Sequence, residues 1–511
     1  PVITGSESVY TLTQGVDEVI VGMSSDADGD AVTWSFAEVL NGGVPSGLNG
    51  TAVTQNGGEF TVTPGTADAN FTIRFTLTDT AGNTDTRDAD FSLTYVNQAP
   101  SVTGIDSTYT LTQGQGTVIT AAATDPEGDA ITWSFEEVAS GPSYVIVSAL
   151  YDDDNGVNSG SVYVFDTNDL TAQPTKLTAF DGAANDSFGY SVTATADQII
   201  VGAHQDDDNG SQSGSVYVYD ANDLSAHPTK LTAFDGAASD FFSWSVAATG
   251  DKIVVSAHGD DDNGSLSGSV YVYDANDLSA QPTKLTAFDG AGGDQFGRSV
   301  AATADQIIVG AYYDDDNGSN SGSVYVYDTN DLTAQPTKLT AFDGATDDRF
   351  GAPVVATADK IIVGAYGDES FTGSVYVYDA NNLSAQPTKL TAFDGAASDN
   401  FGISVTATSD KIIVGAYGDD DNGSQSGSVY VYDANDLSAT PTKLTAFDGA
   451  ATDFFGISVA ATSDKIFVSA YGDESFTGSV YVYDANDLSA QPTKLTAFDA
   501  AANDYFGQSI A

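Results

Sequence analysis

A chain of 511 residues, 41% of them hydrophobic, has the composition of folded globular domains and the length for more than one. Its 72 Asp and Glu against 15 Lys and Arg give a formal net charge of −57, which repels nucleic acid and anionic lipid. There is no cysteine, which excludes disulfides, zinc-thiolate sites and thiol nucleophiles, and no apolar run reaches the length of a membrane helix. Such self-repulsion is relieved by screening over roughly 8 Å at physiological ionic strength, so a saline or calcium-rich medium is expected. The chain opens on Pro1 without a basic segment leading into an apolar one, and reads as a mature fragment or an excerpt of something longer.

Residues 1–142 carry a repeat at an offset of 99. "YTLTQG" at 10–15 returns at 109–114, and "DADGDAVTWSF" at 26–36 returns as "DPEGDAITWSF" at 125–135. The pattern predicts two β-sandwich-like modules: a complete one over 1–99 and the first half of another over 100–142. Asp26, Asp28 and Asp30, with Asp125, Glu127 and Asp129, are candidate calcium ligands, and a polar hairpin turn is the alternative reading. The second copy stops near Gly141, where a different repeat begins, so the following domain reads as an insertion into it. The missing half is expected after Ala511 in a longer parent chain.

From 143 onward, the glycine opening each "GSVYV" falls at Gly160, Gly214, Gly268, Gly322, Gly373, Gly427 and Gly478. A period of 51 or 54 residues signals a propeller or solenoid. Each period holds four apolar or alternating runs, as in "FGISVTAT" (401–408), "KIIVGA" (411–416), "SVYVYD" (428–433) and "TKLTAFD" (442–448). Connectors rich in Asn, Asp, Gly, Pro and Ser separate them, and no helical period is present. The expected fold is therefore all-β, a seven-bladed β-propeller of four-stranded blades over 143–511. The repeat starts on a second strand, "YVIVSA" (144–149), and ends on a first strand, "FGQSIA" (506–511), so the two ends are expected to share one blade. The alternative takes "EEVAS" (136–140) as a first strand and leaves the last segment to open an eighth blade.

"FGISV" followed by "KIIVGA" resembles the FG-GAP repeat of the integrin alpha-subunit propeller and of many bacterial and phage surface proteins, over 144–511. "DPEGDAITWSF" and the "VNQAP" joint (96–100) resemble cadherin-like or immunoglobulin-like modules. Together these likenesses imply a modular protein of the extracellular space, cell surface or virion surface. The integrin-type repeat holds calcium in an acidic loop between its first and second strands, but here that link is only "TSD" or "TAD", so that site is not carried over.

The acidic runs sit instead between the second and third strands. They contain Asp152 and Asp154, Asp206 and Asp208, Asp260 and Asp262, Asp314 and Asp316, and Asp419 and Asp421, each run ending in Asn-Gly. Two blades shorten the run to Asp368-Glu369 and Asp473-Glu474. Adjacent carboxylates in a flexible loop offer the oxygens that calcium takes, yet the D-D-D-N-G spacing is not the ladder of a calcium-binding hand. Calcium ligation and solvated turn acids both stand as readings. His204, His227 and His258 are the only histidines, and no nucleophile or acid-base pair accompanies them, so no enzyme is expected.

Because the blades are near copies, their differences are readable within the chain. "PTKLTAFD" is identical in all seven, whereas the residue before the "FG" phenylalanine runs Ser187, Phe241, Gln295, Arg349, Asn400, Phe454, Tyr505. The residue after the glycine (Ser243 in the second copy) runs Tyr190, Trp244, Arg298, Ala352, Ile403, Ile457, Gln508. A second variable patch opens the acidic loop and contains His204, His258 and Tyr313. With strands alternating in direction, both patches are expected on one rim. The candidate ligand-binding face is Ser187, Tyr190, His204, Phe241, Trp244, His258, Gln295, Arg298, Tyr313, Arg349, Asn400, Phe454, Tyr505 and Gln508. Neutral drift at tolerant loop positions is the alternative. The expected function is that of a non-enzymatic adhesin or phage-fibre-like protein binding a cell-surface glycan or protein, without nucleic acid and without membrane insertion. The alternatives are a structural component of a virion, surface layer or filament, whose partners are copies of itself, and then a propeller hydrolase.

Overall fold

The computed structural model describes residues 144–511 throughout and, within 1–143, the strands and a few positions beside them. The chain divides into two units, Pro1–Ala139 and Ser140–Ala511. In the first, Phe71–Asp79 pairs antiparallel with Val32–Glu38 on one side and Thr84–Phe91 on the other. A second three-stranded sheet places Glu59–Thr63 between Ile20–Val21 and Ala52–Asn56. Two strand pairs complete the described part, Val2–Thr4 with Met23–Ser25 and Ser101–Thr103 with Ala122–Thr124. Asp26, Asp28, Asp30, Asp125, Glu127, Asp129 and the segment 136–140 lie outside the described residues.

The second unit is a ring of seven four-stranded antiparallel blades. Blade 2 is typical: Phe188–Ala194, Gln198–Ala203, Ser215–Asp220 and Thr229–Leu231 follow one another from first strand to fourth. The second and third strands are apolar at nearly every position because both of their faces are covered by neighbouring blades. Side chains alternate along a strand, so Ile199 and Val201 pack toward blade 1 while Ile200 packs toward blade 3. Seven such cores fill the seven blade junctions. Only the short fourth strand, "TKL", opens to solvent at its first residue.

Blade 1 is built from both ends of the repeat. Tyr144–Ala149 pairs with Ser161–Asp166 on one side and with the C-terminal Phe506–Ile510 on the other. The Ile146 amide donates to the Ala511 carbonyl at 2.8 Å, and the Ala511 amide returns the bond to the Ile146 carbonyl at 3.0 Å. Phe506 and Ile510 enter the core between blades 7 and 1 beside Val147 and Val480. The terminal strand thus covers an edge that would otherwise template pairing with another chain, and the count is seven.

The glycine that marks the period has a steric reason. At Gly160, Gly214, Gly268, Gly322, Gly373, Gly427 and Gly478 a Cβ would stand 2.0–2.2 Å from the carbonyl oxygen of the next blade's "FG" phenylalanine. Their φ values of 81–90° are also in the region that glycine adopts without strain. Helix is confined, among the described residues, to Asp368–Phe371 and Asp473–Phe476, which occupy the two shortened acidic loops. Each is a left-handed turn, with Glu369, Ser370 and Phe371 at φ 48°, 66° and 63°.

Candidate functional site

Each residue of the acidic loop has a backbone or side-chain partner. In blade 2 the Asp206 Oδ1 accepts from the Asp208 amide at 3.1 Å, and the Asp207 Oδ1 accepts from the Gln212 amide at 2.7 Å. The remaining oxygens converge on one cation, Lys230 of the invariant "PTKL", whose Nζ lies 2.8 Å from Asp206, 2.7 Å from Asp208 and 2.8 Å from Asp181. Tyr217 donates to the same carboxylates, at 2.7 Å to Asp181 and 3.1 Å to Asp206, and Lys230 Nζ stands 5.2 Å above its ring.

The arrangement recurs around the ring. Lys176 joins Asp152, Asp154 and Asp499, Lys284 joins Asp235, Asp260 and Asp262, and Lys338 joins Asp289, Asp314 and Asp316. Lys443 joins Asp394, Asp419 and Asp421, and in the shortened loops Lys389 keeps Asp343 and Asp368, while Lys494 keeps Asp448 and Asp473 with Glu474 further off at 3.9 Å. Burial works against the Lys230 charge, but its three carboxylates outweigh that and hold its pKa above the ordinary lysine range. Burial likewise works to raise Asp181, and the bonds from Lys230 and Tyr217 overcome it and lower the pKa.

Three of these groups, Asp152 with Asp154 and Asp499, Asp235 with Asp260 and Asp262, and Asp394 with Asp419 and Asp421, bring carboxylate oxygens within 4.8 Å of one another, close enough to hold a metal. Hard oxygen donors suit calcium. The centre of each group is nevertheless where the lysine ammonium lies, so a cation binding there must displace it.

The two variable patches meet on one rim. The Asn185 amide, in the connection entering blade 2, donates to Val157 of the blade 1 acidic loop at 2.8 Å, and the Phe188 amide donates to Ser159 at 2.9 Å. Toward the inner strands of this rim, the variable side chains form an aromatic collar. Trp244 is the hub of blades 2 to 4: its ring centroid lies 4.6 Å from Tyr190, 5.1 Å from His204 and 4.3 Å from His258, and the Arg298 guanidinium stacks 3.8 Å over it. His258 stacks on Phe241 at 5.3 Å. On the other side of blade 2, in blades 7 and 1, Tyr505 touches Tyr151 at 4.8 Å and Tyr471 at 5.1 Å, and Phe454 stacks on Tyr471 at 5.2 Å. Gln295 and Gln508 are half-buried near these rings in sequence, and Ser187 and Asn400 are buried at 3% and 8% exposure.

The residue before each "FG" phenylalanine has positive φ, between 53° and 60°, in all seven blades: Ser187, Phe241, Gln295, Arg349, Asn400, Phe454 and Tyr505. Left-handed backbone favours Gly or Asn, and other side chains there cost of order 1–2 kcal/mol. Two positions earlier the backbone is also left-handed, but the residues are small or short and polar: Asn185, Ser239, Gly293, Asp347, Ser398, Thr452 and Asn503. Between them lies a buried Asp in each blade. Asp186 and Asp240 are pushed up to about 6, first by burial and then by the nearby charges of Asp206 and Asp260.

His204 and His258, at 3% and 5% exposure, are held neutral, their pKa lowered to about 3 by burial and then by the Arg298 charge. Further members of the collar stand at the variable position that opens the acidic loop, the one His204 and His258 occupy, or in the shortened loops. Tyr312, Tyr366, Tyr417 and Tyr471 follow the invariant alanine that ends each second strand, and Phe371 and Phe476 arrive through the shortened loops. A second ring lies apart from the collar: the "TAFD" phenylalanines, from Phe180 to Phe498, are each 51–58% exposed.

Seven segments, 136–165, 171–219, 227–273, 280–327, 333–378, 385–432 and 440–483, match the FG-GAP repeat family. Among solved structures, one described as the crystal structure of the eukaryotic initiation factor aligns over 92% of this chain and 89% of that chain, at 12% identity and a TM-score of 0.33, which is too weak a likeness to carry an argument. No curated protein matches the chain.

Proposed function

Because this chain belongs to the FG-GAP repeat family, we propose that its propeller is a non-enzymatic recognition module engaging a cell-surface glycan or protein through the collar face. The observation that carries this reading is the choice of side chain at the seven left-handed positions. Drift with stability as its only constraint would fill them with Gly, Asn or Asp, yet Phe, Gln, Arg and Tyr stand there against the local backbone preference. Strain retained at one rim, on residues that differ blade by blade, is what a recognition surface requires. His204 and His258 have Nδ1 atoms without a hydrogen-bond partner and no carboxylate to orient them, which favours binding over acid-base chemistry. The setting proposed is extracellular, on a cell or virion, with the leading cadherin-like or immunoglobulin-like modules as spacers of an adhesin or fibre. No helix among the described residues is long and apolar enough to cross a membrane.

Calcium enters this reading as a competitor of lysine at the acidic loops, not as the group that closes them. The test of function is binding of the full chain to a glycan array and to whole cells, compared with Tyr313→Ala and Phe454→Ser. Recognition predicts loss of binding in at least one variant with the melting temperature retained, and binding indifferent to every collar substitution refutes it. The seven half-exposed phenylalanines favour a second reading, a structural block whose partners are its own copies. Concentration-dependent assembly in analytical ultracentrifugation, abolished by Phe288→Ser, is its expected signature.

A further inference from the structure

Every lysine of the propeller is engaged by a carboxylate. The two arginines of the propeller are not: among the described residues neither guanidinium has an ion-pair partner, in a chain of net charge −57. Both are instead held on aromatic faces at neighbouring points of the collar. Arg298 lies 3.8 Å over Trp244 and 5.1 Å from Tyr312. Arg349 lies 5.2 Å from Tyr366, 5.0 Å from Phe371 and 6.0 Å from Tyr313, and its Nη1 donates to the Tyr366 hydroxyl at 2.8 Å. Tyr312 and Tyr313 stack on each other at 4.0 Å, so the two cations sit on one continuous run of rings.

The same stretch holds an unusual share of unsatisfied polar atoms. Among the described residues, and apart from serine hydroxyls, the buried side-chain atoms without a hydrogen-bond partner are Arg349 Nε, Gln295 Oε1, His204 Nδ1 and His258 Nδ1. A buried polar group left unmade costs about 1–3 kcal/mol, and these four gather in blades 2 to 5 of the collar instead of being spread around the ring. Arg349 adds the strain of φ 60°. Unpaired guanidiniums and strained backbone coincide at one stretch of the collar, where a ligand can supply an anionic partner to Arg298 and Arg349, while the histidine and glutamine atoms lie beneath that surface.

We propose that Arg298 and Arg349, with the Tyr312 and Tyr313 pair between them, bind the carboxylate of an acidic sugar. This deepens the recognition reading above and rests on it. A guanidinium forks onto a carboxylate with two parallel hydrogen bonds, and stacking on a ring fixes its plane beforehand. The acidic loops surrounding the collar repel an extended polyanion, so the ligand carries a single charge delivered at one point.

The test uses the full chain and three probes: sialyllactose, glucuronic acid and, as the neutral control, lactose. Binding is followed by calorimetry and by tryptophan emission, with Trp244→Phe identifying the signal from the collar. Both acidic sugars are expected to saturate, with lactose at least about tenfold weaker, the scale of one charge-assisted pair. Arg298→Gln and Arg349→Gln are each expected to weaken acidic-sugar binding about tenfold, while Arg87→Gln, far off in sequence in the first unit, leaves it unchanged. Should either variant fail to fold, the preference for acidic over neutral sugar in the unaltered chain still decides. Equal binding of lactose, or no saturation by either acidic sugar at about 20 mM, overturns the proposal. So does displacement of neither sugar but saturation by a glutamate-bearing peptide. Cell binding that survives both arginine variants yet is lost in Tyr313→Ala overturns this inference alone. Cell binding untouched by any collar change overturns the recognition reading as well.

Discussion

A single backbone angle separates tolerance from purpose in this ring. Gln295 sits at φ 53° with its Oε1 unpartnered, so its backbone is strained, although its amide and carbonyl are both hydrogen-bonded, and its side-chain oxygen is unsatisfied within the chain. Asn adopts the left-handed region more readily than Gln. Gln295→Asn is therefore expected to stabilise the fold by about 0.5–1 kcal/mol in chemical denaturation. A neutral or destabilising result means that unseen packing fixes the glutamine, and the strain argument loses its clearest case. The variability of this position is plain in the sequence, but its strain is not, because φ is set by the turn that the whole connection makes. The adjacent Asp is invariant and silent in sequence for the same reason: its carboxylate accepts from an amide three residues earlier, as Asp186 does from Ala183 at 2.6 Å.

At the scale of the element, the acidic loop was legible as a cation-binding pattern and its cation was not. The run Asp206 to Asp208 and the invariant Lys230 are far apart in sequence, and only the pairing of the third strand with the fourth brings them together. Tyr217 and Lys230 are cross-strand partners in that pairing, which is why both reach the same carboxylates. Removing the cation leaves Asp206 buried and uncompensated. Lys230→Ala is expected to cost about 2–3 kcal/mol, reduced from the full penalty of a broken buried pair because Asp181 and Asp208 remain partly exposed. The same variant is expected to gain a calcium response, its melting temperature rising with millimolar calcium and falling with EDTA. The unaltered chain is expected to show neither change at this loop. If EDTA melts the unaltered propeller, calcium and not lysine closes the loops.

For the molecule as a whole, the buried aspartates make stability rise as pH falls from neutrality, while His204 and His258, which are buried neutral and which the unfolded chain protonates near pH 6.5, oppose that rise. The buried aspartates from Asp186 to Asp504 have pKa values raised by burial, so the folded state takes up protons that the unfolded chain releases. For Asp186 and Asp240 the contribution is complete below the ordinary carboxylate range of about 4 and is lost as pH rises through about 6, and the other five act in the same direction. The lysine-bound aspartates, Asp181 and its counterparts, are lowered and oppose this only as pH falls below about 4. Protonation also relieves the net charge of −57. In a His204→Tyr, His258→Tyr double variant, which lacks that opposition and takes the residue found at this position in blades 4 to 7, calorimetry should thus find a higher melting temperature at pH 5.5 than at pH 8, with the gap narrowing in high salt. A lower melting temperature at pH 5.5 contradicts the assignment of these buried acids.

The sequence by itself determined the ring. A period of 51 or 54 residues, four apolar runs in each and a strand missing from the start that reappears at the end point to a seven-bladed closure over an eighth blade, and the pairing of Tyr144–Ala149 with Phe506–Ile510 decides it. These are local and periodic signals, and hydrophobic alternation records them directly. Tertiary structure decided the use of the charges: which acids face a lysine, which are buried with their pKa raised, and which cations remain without a carboxylate. Lys230 and Arg298 are both cations beside aromatic rings, yet one is surrounded by three carboxylates and the other by none. That difference depends on distances between blades and across strands, set by packing and not by neighbours along the chain.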